Sequence, residues 1–135
     1  MQTPPTDPSV RRGRVLIVDD DPIVAASLRR LLASEHEVLT ASDGRDALRV
    51  LAADSDFDVI LCDVSMDGMS GLDLYRHLAA ERPGIVERIT FLTGGVFTAE
   101  AQEFLDRLPN ERLEKPIALA ALRQFVRARV TATAR

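Results

Sequence analysis

Two spacings of apolar residues alternate along the chain. The runs "RVLIV" (14–18), "EVLTA" (37–41), "DVILC" (58–62) and "ERITFL" (87–92) are short and rich in β-branched residues, and "ERLE" (111–114) forms a weaker fifth. Near-continuous apolar character over four to six residues suits strands buried on both faces. Between them the spacing becomes helical. A first helix is predicted from Pro22, with Asp21 as N-cap and Val24, Leu28, Leu31 and Leu32 on one face. A second follows the "SDG" turn with Ala47, Leu48 and Leu51, and a third follows Gly71 with Leu74, Tyr75 and Leu78. A fourth follows Thr98 with Ala101, Phe104, Leu105 and Leu108, and a fifth runs from about Ile117 with Leu119, Leu122, Val126 and Val130. Five strand–helix units with such connections predict a parallel sheet with helices on both faces, a doubly wound α/β domain.

The length of 135 residues, 46% of them hydrophobic, fits one domain with an adequate core. Residues 1–13, with prolines at 4, 5 and 8, read as a disordered leader, 14–131 as the domain and 132–135 as a tail. No apolar run approaches a membrane span and the first residues lack the apolar centre of a secretory signal, which points to a cytoplasmic protein without membrane insertion. A single cysteine, Cys62, excludes an internal disulfide framework, and two isolated histidines give no zinc spacing. Cys62 reads as a small buried apolar residue, and His36 and His77 as surface or packing residues. A net charge of −4 without a basic stripe gives no indication of direct nucleic-acid binding. The arginines of "LRQFVRARV" read as the solvated face of the last helix. There is no Gly-x-x-x-x-Gly-Lys loop for ATP.

In doubly wound sheets ligands bind beyond the carboxyl ends of the strands. Strand one ends in Asp19 and Asp20, strand three in Asp63, strand four in Thr93, and strand five in Glu114 and Lys115. Three carboxylates brought together repel one another unless a cation sits among them, and all-oxygen ligands favour a hard divalent ion, Mg²⁺ above all. Lys115 is the one lysine in a chain that uses arginine sixteen times. A compact ammonium on a flexible stem suits a tight pocket that a planar guanidinium does not. Together the residues suggest a phosphoryl site with Asp63 as nucleophile and Thr93 and Lys115 as donors to an anionic group. Taken singly, Asp19 and Asp20 also fit a helix cap, Asp63 a loop start and Thr93 a turn. The joint arrangement across four strands is much harder to obtain by chance.

"VLIVDDDP", "DVILCDVSMDGMSG", "FLTGG" and "LEKP", in that order, resemble the receiver domain of two-component response regulators over roughly residues 13–131. The resemblance implies a flavodoxin-like fold with strand order 2-1-3-4-5. It implies that Asp63 is the phosphoacceptor, that Asp20 and Asp63 bind Mg²⁺ directly with Asp19 helping through water, and that the backbone carbonyl of Ser65 is a further ligand. Thr93 matches the switch hydroxyl, and Lys115 the family's lysine, commonly followed by a cis proline peptide as at Pro116. The implied function is acceptance of a phosphoryl group from a histidine kinase or phosphotransfer protein, with a partner surface around helix four and strand five that switches. That surface is also where the family forms phosphorylation-dependent homodimers. The resemblance implies a signalling domain and not a turnover enzyme.

Three positions depart from the family pattern. Met66-Asp67 stands where Met-Pro is usual, Arg112 occupies the aromatic switch position, and the variable positions Ser65 and Gly95 are both small, which predicts a phosphate that is not unusually long-lived. The stretch from "FLTGG" to "LEKP" also resembles receivers attached to hybrid histidine kinases. Two other functions stand beside this one. A pseudo-receiver would dock without phosphorylation. A haloacid-dehalogenase-type phosphatase would need a second aspartate two residues after the nucleophile, where Ser65 stands.

Overall fold

The computed structural model describes residues 12–66, 68–94 and 98–133. Five strands, β1 (Arg14–Val18), β2 (Glu37–Ala41), β3 (Val59–Asp63), β4 (Ile89–Thr93) and β5 (Arg112–Glu114), form one parallel sheet in the order β2-β1-β3-β4-β5. The helices are α1 (Pro22–Leu32), α2 (Gly44–Ala53), α3 (Gly71–Glu81), α4 (Pro83–Val86), α5 (Ala99–Asp106) and α6 (Leu119–Thr133).

The alternation of side chains along each strand divides the core in two. Leu16 and Val18 of β1, Ile60 and Cys62 of β3, and Ile89 and Phe91 of β4 face α2, α3, α4 and α5, where Leu51, Leu74, Leu78, Ile85 and Leu105 meet them. Val15, Ile17, Val59, Leu61 and Leu92 point the other way onto α1 and α6, through Leu28, Leu32, Leu122, Val126 and Val130. Burial of both sets explains why the central strands read as continuous apolar runs. Each such side chain contributes about 1.5–3 kcal/mol by leaving water.

Among the described residues six helices stand where the spacing predicts five. The addition, α4, is a single turn that apolar periodicity cannot register. Arg82 ends α3 in a non-helical conformation, its amide bonded to the Leu78 carbonyl at 2.6 Å, and Pro83 then begins a new turn. α6 begins at Leu119, two residues later than expected, because its first backbone bond runs from the Leu122 amide to the Ala118 carbonyl. Leu119 itself is 54% exposed, so the buried stripe of α6 is Leu122, Val126 and Val130 alone.

The strand-to-helix junctions follow local chemistry. Asp21 accepts from the amides of Ile23 and Val24 at the start of α1, Asp43 from that of Asp46 at α2, and Thr98 from that of Ala101 at α5. Ser70 and Asp73 form a reciprocal capping box on α3. These caps fix where α1, α2, α3 and α5 start, and the loops that lead to them from the strands lie along the carboxyl edge of the sheet.

Candidate functional site

At that edge, β1, β3 and β5 deliver their terminal side chains to one point. Asp19 follows β1 and is buried, Asp20 beside it is exposed, and Asp63 closes β3 with its carboxylate largely buried. Among the described residues, oxygens of these three carboxylates lie within 4.8 Å of one another. Lys115, one residue past β5, reaches between two of them: its Nζ donates to Asp19 Oδ2 and to Asp63 Oδ2, each at 3.1 Å. The remaining oxygens are held by backbone. The Ser65 amide donates to Asp63 Oδ1 at 3.0 Å and the Asp21 amide to Asp19 Oδ1 at 2.9 Å.

Burial pushes the Asp63 carboxyl above its ordinary pKa, although Lys115 and the Ser65 amide oppose the shift. For Lys115 burial disfavours the ammonium, but its hydrogen bonds to Asp63 and Asp19 outweigh burial and raise its pKa. The lysine is therefore a fixed positive charge. Three carboxylates against one ammonium leave excess negative charge and oxygens only, the donor set of a hard divalent cation.

Thr93 ends β4 half-buried, and its carbonyl accepts from the Lys115 amide at 2.7 Å, tying the two donors together through the backbone. The Lys115–Pro116 peptide is cis, as the resemblance implied. Gly94 lies against the lysine: a Cβ there would meet Lys115 Cβ at 3.0 Å. On the α1 side an apolar groove of about 470 Å³, lined by Val24, Leu28, Gly94, Lys115, Pro116 and Ile117, leads to the lysine. A second cavity of about 260 Å³ opens beside Asp19 and Asp20 between α1, β2 and the start of α2.

Of the described candidate site residues, Asp19, Asp20, Asp63 and Lys115 stand in one cluster at this edge, with Ser65 and Thr93 beside it. Asp67 and Gly95 lie outside the described residues. Cys62, next to the candidate nucleophile, points into the core, where burial pushes its thiol pKa far up, so it is inert. Arg112 pairs with Phe91 in register and shares its face, and its guanidinium bonds Asp106 at the end of α5 at 2.8 Å. Sequence reasoning missed the amides of Asp21 and Ser65, which carry no side-chain signature. It also missed Gly71, whose missing Cβ would stand 2.3 Å from the Asp63 carbonyl oxygen.

Residues 15–127 match the family described as response regulator receiver domain. The chain is 37% identical over 116 residues to the response regulator MprA of Mycolicibacterium vanbaalenii, a match covering 85% of this chain and 49% of that protein. It is 35% identical over 115 residues to the sensor histidine kinase RcsC of Salmonella typhi, covering 82% of this chain and 11% of that one. The chain therefore spans about half the length of the first relative and about a tenth of the second. Among solved structures, the signal receiver domain of a signal transduction histidine kinase from Syntrophus aciditrophicus superposes with a TM-score of 0.77 at 26% identity, covering 91% of this chain and 93% of that one. A response regulator receiver domain protein from Clostridium thermocellum gives 0.76 at 25% identity, covering 89% and 95%. No helix among the described residues is long and apolar enough to cross a membrane.

Proposed function

Since the chain belongs to the response regulator receiver family of two-component systems, a family of signalling domains, we propose that it accepts a phosphoryl group on Asp63 from a phosphohistidine of a histidine kinase or phosphotransfer protein. The observation that carries this reading is Lys115 Nζ placed at 3.1 Å from both Asp19 and Asp63 inside a group of three carboxylates. Asp19, Asp20 and Asp63, with the Ser65 carbonyl, are the residues that would hold Mg²⁺. Mg²⁺ would offset the negative charge on the phosphoryl oxygens, so that the anionic Asp63 carboxylate could approach the phosphorus.

In the transfer a carboxylate oxygen of Asp63 forms the new P–O bond as the P–N bond to the donor imidazole breaks, the electron pair leaving with the ring nitrogen. The Ser65 amide and Lys115 hold the carboxylate still and favour its anionic form, the form that attacks phosphorus, against its burial. Lys115 then has an anionic product oxygen within reach, and Thr93 supplies the second donor from the neighbouring strand end. The apolar groove beside Lys115 gives a partner helix a seat from which a histidine reaches Asp63. Phosphorylation would be read out around α5 and β5, the surface that would also serve a phosphorylation-dependent homodimer. There the Arg112–Asp106 pair stands in place of the family's aromatic residue.

Intact-mass analysis after incubation with acetyl phosphate and Mg²⁺ tests the reading. A single phosphoryl adduct is expected on the wild type, absent with EDTA and absent in Asp63→Asn. No adduct on a wild-type protein that binds Mg²⁺ would overturn it in favour of a docking module that works unphosphorylated.

A further inference from the structure

At the opposite end of the sheet, where the strands begin, a second cluster of polar groups has no part in the chemistry above. His36, just before β2, is 1% exposed. Its Nδ1 accepts a buried hydrogen bond from the Gly13 amide at 3.0 Å, and its Nε2 is buried without a hydrogen-bond partner among the described residues. Since Nδ1 accepts, the ring is the neutral form with its proton on Nε2.

Gly13 and Arg14 are held from the other side by Asp58, just before β3. Its Oδ2 accepts from the Arg14 amide at 2.9 Å, and its Oδ1 accepts from the Thr133 hydroxyl at 2.5 Å. The Gly13 carbonyl accepts from the Glu37 amide at 2.9 Å, and a Cβ on Gly13 would stand 2.5 Å from a Val130 methyl. The chain thus enters the sheet through a slot formed by His36, Asp58 and the last turn of α6.

We propose that this slot is an acid-sensitive clamp: a proton on His36 Nδ1 unlocks Gly13 and the last turn of α6 while the five-stranded core stays closed. The proton converts the acceptor facing the Gly13 amide into a donor, so two N–H groups oppose each other and the bond is lost. A buried imidazolium without a partner is unfavourable, and opening of the slot relieves it by admitting water. Charged groups face the ring from every element around it. Glu35 on its own turn and Asp58 before β3 favour the cation, whereas Arg12 of the entering chain and Arg127 of α6 oppose it. Burial, the largest influence, lowers the His36 pKa, so the clamp is closed at neutral pH and opens on acidification.

Residue-resolved amide exchange tests the clamp, with His36 and the exposed His77 followed by NMR from pH 7.5 to 5, above the carboxylate range. Opening linked to one proton should lower the protection factor of Gly13 and of residues 130–133 as pH falls below the ordinary imidazole value of about 6.5, by up to about tenfold per pH unit until the lowered pKa of the closed clamp is passed. Amides of Val59 to Leu61 should hold their protection. In His36→Asn the side-chain carbonyl can take the Gly13 bond without titrating, and the Gly13 response should vanish. The comparison of Gly13 with β3 in the wild type stands alone if that variant does not fold. Protection at Gly13 that ignores the His36 titration, or that falls in step with β3, overturns the proposal, as does an unchanged response in His36→Asn.

Discussion

Gly71 begins α3 at the point where that helix comes closest to the phosphoacceptor strand. An alanine Cβ there would lie 2.3 Å from the Asp63 carbonyl oxygen, and 3.1 Å from both the Asp63 carbonyl carbon and Val64 Cα. All three neighbours are backbone, so no rotamer change relieves the contact. Opening it to the 3.0 Å that real Cβ atoms respect requires about 0.7 Å of movement, and overpacking of this kind costs about 1–3 kcal/mol. The same movement stretches the bond from the Gly71 amide to the Val64 carbonyl, 3.1 Å long, with a further loss of about 1 kcal/mol. Alanine returns about 0.5–1 kcal/mol through the unfolded chain. The net expectation for Gly71→Ala is about 2 kcal/mol of destabilisation, which for a domain of this size lowers the thermal midpoint by about 8 °C. Gly84→Ala is the control, because a Cβ there meets nothing within 4 Å. It should leave the midpoint unchanged or slightly raised. Thermal unfolding followed by far-ultraviolet circular dichroism on both variants decides the matter. A Gly71→Ala midpoint within about 2 °C of Gly84→Ala would refute the close-approach argument.

Three further outcomes follow from the site and its surroundings. Mg²⁺ should stabilise the fold reversibly, EDTA cancelling the effect, by about 2.7 kcal/mol at a hundredfold excess over the dissociation constant, seen as a raised thermal midpoint; Asp20→Asn should lose most of it, and a full effect in that variant would contradict the assignment of ligands. Lys115→Met strips the ammonium from between Asp19 and Asp63, and in metal-free buffer should cost about 2–3 kcal/mol in urea denaturation. It should also raise the already elevated Asp63 pKa, seen in carboxyl ¹³C shifts. A carboxyl whose native pKa exceeds its unfolded value weakens the fold above that pKa, so the deficit of Lys115→Met should shrink as pH falls from 7.5 towards 5. A constant deficit would count against the pairing. Glu35 shows the opposite sign: its bond from Arg127 Nε, 2.5 Å long, leads the influences that hold its pKa down. Its contribution is present above the unfolded value of about 4.3 and lost as pH falls through the native pKa. Glu35→Gln should therefore cost about 0.5–1 kcal/mol at pH 7 and nothing near pH 3, with less effect in high salt.

The buried parallel strands and the candidate site were legible in the sequence for different reasons, and the strand order came from the family resemblance. Strands such as Val59–Asp63 are apolar on both faces, and that doubled burial leaves an unbroken apolar run. The site residues stand out because each is polar at the end of such a run, and because Lys115 breaks a rule of composition the rest of the chain keeps. What stayed hidden belongs to the backbone or to distance. The amides of Asp21 and Ser65 fix two carboxylates whatever side chains they carry. The one turn of α4 is shorter than one period of the pattern that would reveal it. Leu119 fits the stripe by spacing yet precedes the point where α6 settles on the sheet, and it remains exposed. The pairing of Arg112 with Asp106 joins residues six apart across a turn, a distance no helical or strand period predicts.

That the only lysine lies in the pocket has a practical consequence. Its Nζ is the sole side-chain primary amine of the molecule, and its side chain keeps 27% of its surface accessible. An acylating reagent therefore has one internal target, and reacts only with the unprotonated amine that Asp19 and Asp63 suppress. A cation bound to those carboxylates, or an acyl phosphate on Asp63, would change the charge beside the amine and so how readily it gives up its proton. The rate of acylation at Lys115 is thus a native chemical reporter of pocket charge, readable by mass without an added probe.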